Sequence, residues 1–330
     1  MKTIVKIEIA ILVLVVLVAT GMVLVSEGAL LLFTEPVLAQ REAPPIPTEA
    51  VVATIEETIP AETHAPVQSE PQNITALQYF AYDTREGTYL QTRGDVDAKL
   101  YPASITKLLT SLVVLQYMDP ADTVVAGDAL LLVQPDSSVA GLVEGDCLTV
   151  EQLISAMMLP SGNDAAQVAA VAAGRAIAGD KNLDYQEAVK VFVKQMNALA
   201  QELGMSNSHF VTPDGWHDDN HYTTMNDLVI LCQAALENQT ILKYTSKATD
   251  SVLMADRNLE WKNTNMLLHE TAETYVPATI GLKTGYTSNA GGCLVSAFFQ
   301  TDRIVLIGVF GCPAHTMDRY IDTVAIYNSL

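Results

Sequence analysis

Pro102-Ala103-Ser104-Ile105-Thr106-Lys107-Leu108 is the stretch on which the reading of the whole chain turns. Helical spacing begins here. Leu108, Leu109, Leu112 and Leu115 recur at that spacing as far as Tyr117, and Asp119-Pro120 stops the run. Residues three apart share a helix face, so the Lys107 amine is expected beside the Ser104 hydroxyl. A serine hydroxyl is a weak nucleophile until a base takes its proton. Lysine serves as that base once burial or a second cation lowers its pKa, each unit being worth about 1.4 kcal/mol. At the helix start Ser104 also faces the positive end of the dipole. Alone, the pair is a weak signal, because such a pair on one helix is more often simply solvated.

Two further motifs follow in order. Ser161-Gly162-Asn163 lies between Pro160 and an alanine-rich run to Ile177 that favours helix. Taken alone it is a good helix N-cap. Taken with Ser104 and Lys107, it offers Ser161 as a proton relay and Asn163 as an amide that positions substrate and lysine. Lys283-Thr284-Gly285 ends a strand candidate, Thr279–Thr284. There a lysine attracts an anionic carboxylate, a threonine hydrogen-bonds it, and a glycine lets a substrate backbone approach closely. The bland alternative is an edge lysine before a turn. Each pattern occurs once, in this order, and together they form a known signature set of active-site serine enzymes.

Around these motifs strands lie at both ends of the folded region and helices between them. Ala76–Tyr82 and Thr88–Thr92 read as strands joined through Arg85-Glu86-Gly87. Helices are expected from Thr149-Val150-Glu151 to Leu159, over Asp184–Leu203 before Gly204, and over Thr224–Glu237. Cys293–Gln300 and Ile304–Phe310 read as strands turned by Thr301-Asp302-Arg303, and a last helix covers Thr316–Tyr327. This order implies an α/β layer built from the two chain termini, with a helical subdomain inserted between them.

The motif contexts carry a family resemblance. Pro102–Leu108, Leu159-Pro160-Ser161-Gly162-Asn163-Asp164-Ala165 and Gly281-Leu282-Lys283-Thr284-Gly285-Tyr286-Thr287 resemble the low-molecular-weight penicillin-binding proteins that act as D-alanyl-D-alanine carboxypeptidases, peptidase family S11. Phe210-Val211-Thr212-Pro213-Asp214-Gly215, His221-Tyr222-Thr223-Thr224 and Asn263-Thr264-Asn265 fit as well. The resemblance implies a β-lactamase/DD-peptidase-like fold, an antiparallel sheet flanked by helices, over residues 73–330. It implies Ser104 as nucleophile, Lys107 as general base, Ser161 as relay with Asn163 beside it, Lys283, Thr284 and Gly285 at the substrate, and Tyr286 as a backbone oxyanion donor. The implied substrate is a peptidoglycan stem peptide ending in D-Ala-D-Ala, with β-lactams as acylating mimics and no cofactor or metal. The central motif is Ser-Gly-Asn rather than Ser-Asp-Asn, and no second glutamate base is evident, so rapid β-lactam hydrolysis is not expected. No C-terminal β-domain of the kind many relatives carry is expected after the catalytic region. A non-catalytic peptidoglycan-binding scaffold, an endopeptidase, a transpeptidase and a β-lactamase remain alternatives on the same fold.

Composition sets the surroundings. With 18 Lys plus Arg against 38 Asp plus Glu, the formal charge of −20 argues against nucleic acid as a partner. Residues 1–33 read as a signal anchor: Lys2 and Lys6 precede Ile9–Val25, which holds no charge. A cleaved signal peptide ending at Ala39 is the alternative. Either places the remainder at the extracytoplasmic face of a bacterial membrane, or secreted. Residues 34–72 read as a disordered linker, with six prolines and six glutamates between Arg41 and Pro71. Cys147, Cys232, Cys293 and Cys312 show no metal spacing and are expected as free buried thiols, although Cys293 and Cys312 flank a hairpin and could face each other. His217 and His221, four apart among carboxylates, are a zinc candidate that lacks the metalloprotease pattern.

Overall fold

The computed structural model describes residues 71–314 and 316–330. The expected signal or anchor segment, and the linker up to residue 70, lie outside the described residues. Among the described residues no helix is long and apolar enough to cross a membrane.

A five-stranded antiparallel sheet joins the two ends of the described chain. Its strands are β1 (Gln78–Asp83), β2 (Thr88–Arg93), β7 (Thr279–Thr287), β8 (Gly291–Gln300) and β9 (Arg303–Cys312), in the order β2-β1-β9-β8-β7. The central strands β8 and β9 are buried on both faces, which is why they read as nearly continuous apolar runs rather than alternating ones. Two-residue β-hairpin geometry closes them: Gln300 pairs with Arg303 and Thr301 takes φ 53°, so Arg303 begins the strand rather than completing the turn. Phe80 of β1 points into the core beneath the helices, while its neighbours Tyr79 and Ala81 point to the opposite core.

The helical part is inserted between β2 and β7. It contains α1 (Lys107–Tyr117), α2 (Val150–Met158), α3 (Asn163–Ala178), α4 (Tyr185–Leu203), α5 (Met225–Glu237) and α6 (Gln239–Thr245), and α7 (Asp318–Asn328) packs on β8 and β9 from the C-terminus. The first helix is buried nearly all round, its polar residues Lys107, Thr110 and Ser111 included, because α2, α3, α4 and α5 surround it. A capping box between Thr149 and Gln152 starts α2. Asp184 caps α4 at its N-terminus and Gly204, at φ 93°, ends it.

Five elements were not anticipated. The ribbons β3 (Thr123–Val125) with β4 (Cys147–Thr149) and β5 (Thr249–Leu253) with β6 (Asn258–Lys262), and the short helix α6, are brief pieces with weak local signals. The sequence also predicted one helix starting at Ser104. Instead Ala103, at φ 49°, kinks the chain, and a 3₁₀ turn over Ala103–Thr106 precedes α1. The cysteine expectation needs one change. All four are free, but Cys147 is exposed. Cys293 packs in the core under the helices and Cys312 in the core on the opposite face of the sheet, so they do not face each other.

Candidate active site

The 3₁₀ turn brings Ser104 and Lys107 together more directly than an α-helix would, since residues three apart are eclipsed in it. Lys107 Nζ lies 2.9 Å from Ser104 Oγ. Two further acceptors hold the amine: Asn163 Oδ1 at 2.7 Å and the main-chain carbonyl of Asp214 at 2.8 Å. The Lys107 side chain is fully buried, and this burial pushes its pKa down to about 8 against the opposing pull of the Asp214 and Asp164 carboxylates.

Ser161 sits in a left-handed conformation, φ 64°, in the turn between α2 and α3, and is almost wholly buried. Asn163 begins α3, and its N–H donates to Ser138 O at 2.8 Å. Between them, a Cβ on Gly162 would stand 2.7–2.8 Å from Asp164 Oδ1, Ala140 Cβ and Ala156 O. That crowding explains why this chain carries Ser-Gly-Asn. The Asp164 carboxylate fills the space instead. It accepts from the N–H groups of Ala140, Gly141, Leu142 and Ala165 at 2.8–3.0 Å, tying the loop before β4 to the start of α3.

On β7, Lys283 is buried and donates to Thr284 O at 3.1 Å. Burial lowers its pKa well below the ordinary lysine value, and the positive charges of Lys107 and Arg319 add to the effect. Thr284 Oγ1 lies 2.5 Å from Thr264 Oγ1. The sequence assigned Gly285 to the approach of a substrate backbone, yet the backbone that crowds it is the chain's own. A Cβ there would meet Pro102 O at 2.9 Å, Ala103 Cβ at 3.1 Å and Ser104 N at 3.2 Å. Gly285 therefore lets β7 lie against the turn that carries Ser104, and brings Tyr286, the next residue on the strand, close to that turn.

Several residues with no role assigned from sequence frame these groups. The loop from Phe210 to His221 supplies the Asp214 carbonyl. Gly215 in that loop has φ 80°, and its Cβ would fall 1.9 Å from Ala103 O. His221 Nδ1 accepts from Val211 N and Thr212 N at 3.1 and 3.3 Å, so the ring proton sits on Nε2 and is donated to Thr106 Oγ1 at 2.8 Å. With both ring nitrogens engaged, His221 is a structural brace rather than a metal ligand, and His217 packs edge-on against Tyr101. Among the described residues no group of three or more His, Cys, Asp or Glu is placed to hold a metal ion. Arg319 on α7 donates from Nη1 to Gly285 O at 2.9 Å, and its buried Nε has no hydrogen-bond partner among the described residues. Asp164, Asp214, His221 and Thr264 stand inside the motif contexts quoted above, but no local sequence signal marks Arg319.

Known proteins share both sequence and fold. The profile of the D-alanyl-D-alanine carboxypeptidase family, peptidase family S11, matches residues 64–313. The D-alanyl-D-alanine carboxypeptidase of Streptomyces sp. (strain K15) is 34% identical over 248 residues, covering 71% of this chain and 79% of that protein. The D-alanyl-D-alanine carboxypeptidase DacF of Bacillus subtilis is 30% identical over 218 residues, covering 64% of this chain and 51% of that protein, so the chain spans about half the length of that relative. The crystal structure of the Streptomyces DD-transpeptidase superimposes with a TM-score of 0.69 at 29% identity, over 79% of this chain and 98% of that one. Penicillin-binding protein D2 from Listeria monocytogenes, in its cefotaxime-bound form, gives 0.64 at 25% identity over 79% of this chain and 99% of that one. With its three motifs brought together on a shared fold, the chain belongs to the D-alanyl-D-alanine carboxypeptidase family of serine peptidases.

Proposed function

We propose that this protein is a serine D-alanyl-D-alanine carboxypeptidase that removes the terminal D-alanine from peptidoglycan stem peptides. The observation that carries the reading is the buried Lys107 amine, 2.9 Å from Ser104 Oγ and with its pKa lowered to about 8. A tenth or so of such lysines are neutral at pH 7, enough to act as a general base.

In this mechanism neutral Lys107 takes the Ser104 proton as Oγ attacks the carbonyl between the two D-alanines. The backbone N–H groups of Ser104 and Tyr286 hold the oxyanion, a contribution of about 3–4 kcal/mol for such a donor. Asn163 keeps the lysine aimed at Ser104. Ser161 relays the proton to the departing D-alanine nitrogen as the C–N bond breaks. The free carboxylate of the leaving residue binds at Lys283 and Thr284, and the half-buried Arg319 adds a second positive charge there. Water then hydrolyses the acyl-enzyme. A β-lactam enters the same path, because its strained amide and carboxylate imitate the D-Ala-D-Ala end.

The Streptomyces structure that shares the fold is described as a DD-transpeptidase. An amine in place of water as acyl acceptor is therefore the second reading. Incubation with diacetyl-Lys-D-Ala-D-Ala, with and without glycine as acceptor, alongside a fluorescent penicillin, separates the readings. D-alanine release and a covalent label, both lost in Ser104→Ala, are expected; a glycine-capped product would favour transpeptidation. Label without any release would leave a penicillin-binding scaffold, and release that persists in Ser104→Ala would overturn the mechanism. The N-terminal segment is proposed to hold the enzyme at the extracytoplasmic membrane face. Cell fractionation with N-terminal sequencing distinguishes an anchor from cleavage after Ala39.

A further inference from the structure

Thr264 belongs to none of the three motifs, yet it bonds to β7, to the segment leading into Ser161 and to α7. Its hydroxyl lies 2.5 Å from the Thr284 hydroxyl. Its N–H donates to Leu159 O at 2.9 Å, two residues before Ser161, and its carbonyl accepts from the buried Tyr320 hydroxyl of α7 at 2.7 Å. Its neighbours allow it little motion. Asn263 donates to Thr245 O and Lys247 O, and its own carbonyl is bonded to His269 Nε2 at 2.7 Å. Asn265 is buried beside Ser296 of β8. A hydroxyl so tightly braced is a fixed point against which the Thr284 hydroxyl is oriented.

Hydrogen-bond inventory gives the bond a direction once a substrate is present. A carboxylate only accepts hydrogen bonds, whereas a hydroxyl has one proton and two lone pairs. When Thr284 gives its proton to a carboxylate, its 2.5 Å contact with Thr264 persists only if Thr264 is the donor. We propose that Thr264 is a positioning residue for the carboxylate of the substrate: it donates to Thr284 Oγ1, and so holds the Thr284 proton aimed at the anionic C-terminus. The inference rests on the reading of Lys283 and Thr284 as the carboxylate site. Thr264 touches no reacting atom and acts through Thr284 alone.

The test uses the full chain and two peptides, diacetyl-Lys-D-Ala-D-Ala and the same peptide with a C-terminal carboxamide. Thr264→Val keeps the shape and removes the donor. It is expected to raise KM for the carboxylate peptide about fivefold to tenfold, the effect of one lost hydrogen bond, with kcat changed less. The carboxamide peptide should change by less than about twofold, because a neutral terminus gains little from the aligned proton. Thr264→Ser should restore KM, which a general packing defect would not allow. Equal effects on both peptides, an unchanged KM in Thr264→Val, or failure of Thr264→Ser to restore it would each overturn the proposal. Thr284→Val isolates the parent reading. If it leaves the carboxylate-peptide KM unchanged, the carboxylate site itself is wrong and the role of Thr264 falls with it. If Thr284→Val raises KM and Thr264→Val does not, only the role of Thr264 is lost.

Discussion

At the scale of single residues, the chemistry depends on one amine being taken out of water. Lys107 has three oxygen acceptors, and only one of them, Ser104 Oγ, bears a transferable proton. Burial lowers its pKa to about 8, so the neutral base becomes abundant only as pH rises. The rate of penicillin acylation should therefore climb with pH and level off above a midpoint near 8; stopped-flow acylation between pH 6 and 10 checks this. Lys107→Ala should slow acylation by about 10²–10⁴-fold while the fold survives, as read by fluorescent-penicillin labelling beside a thermal melt. Gly162 makes a different residue-scale prediction. Gly162→Asp, which would recreate the Ser-Asp-Asn form, drives a Cβ to within 2.8 Å of three neighbours. It should cost about 1–3 kcal/mol of stability and displace Asn163 from Lys107, lowering both the melting temperature and the labelling rate.

At the scale of elements, the site is a junction of the α1 turn, the Phe210–His221 loop and strand β7. His221 locks the loop against the turn, and burial pushes its pKa down to about 4. The unfolded chain takes up a proton on this residue below pH 6.5, whereas the folded chain resists until about pH 4. Stability linked to His221 is thus intact above pH 6.5 and is lost as pH falls toward 4, by about 3 kcal/mol in all. Urea denaturation at pH 7 and pH 4.5 should show a smaller acid loss in His221→Gln than in the unaltered protein. Contact between β7 and the turn is the second joint. Gly285→Ala should push the Ser104 turn outward by a fraction of an ångström, and a displacement near 1 Å is enough to cost about 100-fold in acylation without unfolding.

At the scale of the whole molecule, the described chain closes on itself. The N-terminal hairpin of β1 and β2 pairs with β9, and the last helix reaches back to the point where the chain enters the sheet. Asp322 on α7, buried, accepts from Thr75 N, Thr75 Oγ1 and Ala76 N at 2.7–3.0 Å. Asp83 at the end of β1 is held by Arg303 at 2.6 Å across to β9. These charge-assisted bonds fasten the first strand to elements more than 200 residues later. Asp322→Ala should lower unfolding free energy by about 2–3 kcal/mol and, because Arg319 and Tyr320 on the same helix reach Gly285 and Thr264, should raise KM for the peptide modestly. Equilibrium denaturation with steady-state kinetics on the same samples tests both halves.

The local spacing of apolar residues and helix caps sufficed, within a few residues, for β1, β2, α1 to α5, β8, β9 and α7, since those signals are short-range. Motif order, a property of the chain, nominates Ser104, Lys107, Ser161, Asn163, Lys283 and Thr284, and the fold brings Lys107 into contact with Ser104 and Asn163. What the sequence could not decide were contacts between distant segments. The Asp214 carbonyl on Lys107, the steric reason for Gly285, the Thr264 hydroxyl beside Thr284, and Arg319 beside Lys283 all require residues tens of positions apart to be packed within a few ångströms. The pKa of Lys107 belongs with these. A lysine three residues after a serine is written in the sequence, but its loss of water comes from the helices and loop that enclose it, and only the tertiary structure supplies them.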